Sequence, residues 1–246
     1  MLAAKEDDSA TLKSTGLVDQ VIEYLREHVA AEQLRPGSKL PSETTLSARL
    51  GVSRPVVREA MRTLAATGLV EMAVGKRATI VSLDGEMISR VIGNAVLIGQ
   101  ADEADILELR RGVEIAMVAL AAERRTDAQA AELEKIIAEM VECIDDGDRY
   151  LDLDLKLHLV LSEASGNPLY ALLIDALRQL IRLAMYAGRT RWSEIEGLDR
   201  VQELHEQIVG AVVARDPRAA VEAMTQHFDD AIAVVLAPVD GKRATG

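Results

Sequence analysis

The chain has 246 residues, 28 Lys/Arg against 40 Asp/Glu, and a single Cys; apolar residues make up 49% but aromatic ones only 2%. At roughly 100–200 residues per domain this is one large domain or two ordinary ones, with an aliphatic, Ala-rich core that suits helix packing better than an all-β sandwich and too apolar a composition for a disordered chain. Cys143 alone excludes an intrachain disulfide framework and a Cys-based zinc finger. No apolar run reaches the roughly 18 residues of a membrane span and the first ten residues are too acidic for a signal peptide, so the expectation is a cytoplasmic protein without a membrane partner.

The charge is unevenly spread. Residues 1–82 carry 11 basic and 10 acidic side chains, whereas residues 83–246 carry 17 and 30. Within 35–82 the balance is 8 basic to 3 acidic, which implies two halves with different partners. Residues 1–14 are small, charged and aperiodic and read as a flexible tail. From Leu17 to Val29 apolar residues recur at helical spacing, a first helix that the Arg35-Pro36-Gly37 turn ends. An extended Lys39-Leu40 follows. Ser42 then caps a short second helix with Glu43 at its positive end, and Gly51 lies past its C-terminus. Ser53 caps a third, with Pro55 in the first turn and Gly68 at the end. Val56, Val57, Ala60, Met61 and Leu64 form its apolar side, and Arg54, Arg58 and Arg62 form a row on the other. Leu69 to Ala73 and Ala78 to Val81 read as a hairpin with Gly75, Lys76 and Arg77 at its tip.

Helix, tight turn and helix is the layout that places N-terminal residues of a recognition helix in a DNA major groove. Arginine suits that place because its planar fork takes guanine O6 and N7 together. An Arg row alone is ordinarily a solvated helix face; here it coincides with the basic region, a Ser cap and a basic hairpin, and a winged helix is the better reading. The run Leu34-Arg35-Pro36-Gly37-Ser38-Lys39-Leu40-Pro41-Ser42-Glu43, with Leu46 to Ala60 after it, resembles the GntR family of bacterial repressors over about 65 residues. The resemblance implies that double-stranded operator DNA is contacted by the turn before the recognition helix, at Ser53, by Arg54 and Arg58, and by the wing at Gly75; Pro55 beside them and Lys76, by its charge at the wing tip, join the expected DNA-binding set. Many members carry Arg where this chain has Thr44, which implies an altered operator contact.

From Asp84 onward the pattern is six or seven helices, broken near Gly99 to Asp102, Arg125 to Asp127, Asp145 to Asp148, Gly166 to Pro168, Arg191 to Gly197 and Asp216-Pro217. Asp154 and His158 share a face of one of them, while His205 and His227 lie on apolar stretches of two others. Each His taken alone is an ordinary core or surface histidine. Three imidazoles and a carboxylate meeting inside a bundle are instead a divalent-metal set, for which Zn, Ni and Mn all qualify. Asp154 to His158, Ser165 to Pro168, His205 and Asp216 to His227 resemble the FCD effector domain of the FadR-type branch. That resemblance implies metal ligation by Asp154, His158, His205 and His227, zinc first among the candidates, and an effector cavity reached by Arg110, with Asn167 as a further hydrogen-bonding group. A buried Arg beside a metal suits a small carboxylate; the plainer role for Arg110 is pairing with Glu114 or Asp154, and Arg178 and Arg182 are weaker candidates for the same pocket.

The expected architecture is therefore mostly α: a winged helix-turn-helix over 15–82, a linker and first helix over 83–100, an all-α antiparallel bundle of FCD type over 101–237, and a flexible tail over 238–246. The implied function is a homodimeric regulator, a repressor rather than an enzyme, on a palindromic operator and responsive to a small organic acid. A regulator that senses the metal itself, or a metal-dependent hydrolase fused to a DNA-binding domain, are the alternatives.

Overall fold

The computed structural model of the chain describes residues 9–186 and 198–236 and divides into two compact units, 1–83 and 84–246. The first holds α1 (Ser9–Ala31), α2 (Glu43–Leu50), α3 (Arg54–Ala66), β1 (Val70–Glu71) and β2 (Thr79–Ile80). α1 begins at Ser9, inside the segment read from sequence as a tail, because a helix nucleated by the apolar stripe of Val21 and Leu25 propagates outward until something breaks it. It also ends earlier than expected, at Ala31; Gln33 adopts φ +51° and the Arg35 to Gly37 turn follows separately.

Ser42 caps α2 by accepting from the Thr45 N–H at 3.1 Å, and Gly51 takes the left-handed conformation past its end at φ +67°. α3 starts after Ser53, whose side chain makes no capping bond, with Pro55 in the first turn. β1 and β2 pair antiparallel in the register Val70 with Ile80 and Glu71 with Thr79, and Lys39 bridges to Thr79 on the other side. The strands are shorter than their apolar runs because Ala73 to Lys76 form the turn, closed by the Lys76 N–H donating to the Ala73 carbonyl at 3.1 Å. Leu25, Leu40, Leu46, Val57, Leu64 and Ile80 knit the three helices and the wing into one core.

The second unit is all helix among its described residues: α4 (Glu86–Leu97), α5 (Glu103–Arg124), α6 (Asp127–Glu142), α7 (Gly147–Ala164), α8 (Pro168–Tyr186), α9 (Leu198–Val213) and α10 (Pro217–Leu236). The breaks are N-caps. Asp102 and Asp105 form one capping box, Thr126 and Gln129 another, and Asp146 accepts from the Arg149 N–H. The break expected at 191–197 lies outside the described residues, as does the tail at 238–246. α5 packs against α7, α8, α9 and α10, so its side chains face the middle of the bundle. Met117, Leu133, Met140, Tyr150, Leu157 and the single Phe, Phe228, form the core around it.

α4 approaches α8 closely at its start. The Gly85 N–H donates to Asp175 Oδ2 at 2.8 Å, and a Cβ on Gly85 would lie 2.2 Å from the Ala176 backbone nitrogen. Gly85→Ala is expected to lower stability by about 1–3 kcal/mol, read as a fall in the urea unfolding midpoint of the full chain.

Candidate DNA-reading surface and buried histidine cluster

The three arginines of α3 differ in what holds them. Arg54 is exposed at the helix start, and Arg62 makes only a 3.6 Å pair with Glu59. Arg58 is clamped to α2: its Nε donates to both Glu43 oxygens at 3.1 and 3.2 Å and its Nη2 to Oε2 at 2.7 Å. That contact, with Arg54 and Arg62 nearby, holds the Glu43 carboxyl below its usual range. Thr44, Ser53 and Pro55 are exposed at the same end of the two helices. On the wing Gly75, at φ +73°, and Lys76 are both exposed. Arg77 is turned back instead, with Nε donating to the Leu40 carbonyl at 2.7 Å, so it buttresses the wing and Lys76 is the cation at its tip.

In the helical unit the geometry gathers six ionisable side chains. α7 supplies Asp154 and His158, α9 His205, α10 His227, and α5 Arg110 and Glu114; none is more than 7% exposed. One nitrogen from each imidazole lies within 4.8 Å of the others. Asp154 Oδ1 stands 3.1 Å from His205 Nε2 and 3.8 Å from His158 Nε2, without the direction of a hydrogen bond to either. His158 Nε2, His205 Nε2 and His227 Nδ1 are buried with no hydrogen-bond partner. Burial, reinforced by His205 and His158, pushes His227 well below its ordinary pKa. Burial also opposes the Asp154 charge, but His205, His158 and Arg110 overcome it and hold that carboxyl well below the usual range. Glu114 behaves likewise, with Arg110 and His158 outweighing desolvation.

Buried polar nitrogens without partners are rare in folded proteins. Three of them within ligand distance of one another, beside a carboxylate, fit a divalent cation with nitrogen and oxygen ligands. Imidazoles that ligate a metal are neutral, and with them one guanidinium against two carboxylates would leave one net negative charge for the cation to offset.

Two residues outside the expected ligand set complete the cluster: Glu114, which takes the plainer pairing expected of Arg110, and Tyr150. Glu114 accepts from Arg110 Nε at 2.6 Å through Oε1 and pairs with His158 Nδ1 through Oε2. Tyr150 donates to Gln202 Oε1 at 3.0 Å and stands 3.4 Å from His205 Nδ1. Both were legible as spacing, since Glu114 follows Arg110 by four residues and Tyr150 precedes Asp154 by four on one helix face. Arg110 also lies over the Phe228 ring, 5.2 Å from its centroid, and its Nη2 has no partner. Asn167 Oδ1 accepts from the Leu169 N–H at 3.1 Å as the opening turn of α8. Arg178 is engaged with Asp175 at 2.6 Å, and the Arg182 side chain lies outside the described residues.

A winged helix-turn-helix and a helical unit with a buried ligand-type cluster, on one chain, define a DNA-binding regulator with an effector-binding domain. Residues 17–80 match the family described as bacterial regulatory proteins, gntR family, and residues 105–230 match the FCD domain. The chain belongs to the GntR family of transcriptional regulators, in its FadR-type branch. It is 35% identical to the HTH-type transcriptional regulator LutR of Bacillus subtilis over 80% of this chain and 90% of that one. It is 32% identical to the HTH-type transcriptional repressor NanR of Salmonella newport over 87% of this chain and 83% of the relative. A Streptococcus agalactiae GntR structure superposes with a TM-score of 0.70 at 28% identity, covering 88% of this chain and 99% of that one. No helix among the described residues is long and apolar enough to cross a membrane.

Removing the guanidinium leaves Glu114 buried beside His158 alone. Arg110→Met is expected to cost about 3–5 kcal/mol in urea unfolding with chelator present. Arg111→Gln, which breaks an exposed pair with Asp229, is expected to leave the midpoint unchanged within error.

Proposed function

We propose that this regulator is a homodimeric repressor whose hold on a palindromic operator is modulated by a small organic acid bound beside a divalent metal in the helical unit. The observation that carries the reading is the conjunction in one buried cluster of three unpartnered imidazole nitrogens and an unpartnered Arg110 Nη2. Asp154, His158, His205 and His227 would hold the ion, with zinc favoured by the nitrogen-rich set and nickel or manganese also compatible. Bound there, the ion supplies Lewis acidity and positive charge. A divalent cation turns the cluster's net negative charge into one net positive charge, and a monocarboxylate restores neutrality. Arg110 Nη2 donates to such a carboxylate, while Glu114 and the Phe228 ring keep the guanidinium in place. The acid shifts DNA affinity only if it binds the DNA-holding and DNA-released states unequally.

On the DNA side, Arg54, Arg58, Pro55, Ser53 and Thr44 face the major groove and Gly75 and Lys76 the adjacent backbone or minor groove, in the cytoplasm where operator DNA resides. Arg58 arrives already oriented by Glu43, so it reads bases, whereas Lys76 meets phosphate. Arg58→Ala is expected to weaken binding to a site selected from a random duplex pool by about 10- to 100-fold and to relax base preference; Lys76→Ala should weaken all sequences evenly and reduce the salt slope by about 1.

The effector reading is tested by thermal melts against a panel of hydroxy acids, sugar acids and dicarboxylates, each with and without chelator. One acid is expected to raise the melting temperature, and chelator to abolish that shift. If chelator destabilises the protein and no acid responds, the ion is itself the signal or is structural. Turnover of an acid or ester by the purified protein would overturn the regulator reading of the cluster in favour of a hydrolase.

A further inference from the structure

Glu114 is fully buried at the centre of the bundle, contacts no solvent and belongs to neither the ion's ligand set nor the carboxylate's. Its two oxygens serve different partners: Oε1 accepts from Arg110 Nε, and Oε2 meets His158 Nδ1. We propose that Glu114 is a positioning residue that turns His158 toward the metal and Arg110 toward the acid at the same time.

The inference rests on the metal-and-acid reading above and follows from donor and acceptor inventory. A carboxylate has only acceptors to offer, so the His158 nitrogen facing it carries the proton. The lone pair of that ring is thereby placed on Nε2, which is the nitrogen left without a partner beside Asp154 Oδ1. A histidine that donates its second nitrogen to a carboxylate is fixed in tautomer and orientation and is a better metal ligand for it. The same residue occupies the Nε of Arg110, the Phe228 ring covers the guanidinium face, and Nη2 remains as the unpartnered donor. Glu114 is thus hydrogen-bonded to both halves of the site. Glutamine cannot replace it, because two donors converge on Glu114 and an amide offers one acceptor and one donor; one of the two contacts becomes a donor facing a donor.

The test measures zinc affinity of the full chain by competition with a chromophoric chelator, with no acid present. Glu114→Gln is expected to bind Zn2+ about 10- to 100-fold more weakly than the unmodified protein. In a His158→Ala background the same change is expected to add no further loss, since Glu114 acts through that ring. Equal losses in both backgrounds would show a general structural effect and overturn the proposal, as would wild-type zinc affinity in Glu114→Gln. Should the variants fail to fold, nitrogen-15 spectra of the histidines in the zinc-loaded unmodified protein decide: His158 protonated on Nδ1 supports the role, and a proton on Nε2 sinks it. Failure of the unmodified protein to bind Zn2+ at all would instead remove the metal reading on which this role rests.

Discussion

The helical unit is organised by the need to bury charge. Six ionisable side chains from α5, α7, α9 and α10 sit in an interior where each is almost inaccessible to water. An isolated ion in such a place costs several kcal/mol even after relaxation. The cluster survives because Arg110 and Glu114 pair within one helix turn, His158 joins Glu114, and Asp154 stands against two imidazoles. Satisfying these contacts requires four helices to keep their faces in register to within hydrogen-bond distances. Aliphatic packing around Met117, Leu157 and Phe228 supplies most of the stabilisation but tolerates small slips; the polar contacts do not.

Charge is handled in the opposite way in the winged unit. Its guanidiniums stand in water, where pairing contributes little to stability and salt screens it. What the Glu43 clamp supplies to Arg58 is direction: two hydrogen-bonded edges leave the guanidinium few orientations, and less rotamer freedom remains to be lost on DNA. Arg54, with no such clamp, keeps its freedom. The two arginines one turn apart on α3 are therefore held unequally, although their spacing in the sequence treats them alike.

Much of this was legible from residue order because the signals are local. The Ser42 cap is a side chain bonding backbone within three residues, the breaks read near Asp102 and Asp146 coincide with caps of the same kind, and Gly51 marks a left-handed turn that few other residues adopt. The histidines were visible as polar residues on apolar helix faces. What escaped is a choice among partners that spacing alone does not rank. Arg77 looked like a second cation at the wing tip, yet the Leu40 carbonyl, 37 residues earlier, claims it. The Oδ1 of Asn167, expected to offer a hydrogen bond, is taken by the first N–H of α8. Arg178 and Asp175 pair within one turn, which spacing allowed but did not rank above a pocket role. The ends of α1 were misplaced because helix propagation has no sequence marker when no cap or breaker is present.

Preorganisation in the cluster extends beyond Glu114. Gln202 donates from its amide nitrogen to Glu206 at 3.0 Å, which fixes which end of that amide is the acceptor. Tyr150 then donates to Gln202 Oε1, so its one proton is committed and its oxygen faces His205 Nδ1 as an acceptor. If Nε2 of His205 is given to a cation, the ring's remaining proton sits on Nδ1, where the Tyr150 oxygen accepts it. A carboxylate thus stands at the far end of each chain: Glu114 directly behind His158, and Glu206 two side chains behind His205. On the metal reading proposed above, both rings would present Nε2 inward before a cation arrived, and the reorganisation that binding would otherwise require would already be met by the folded bundle.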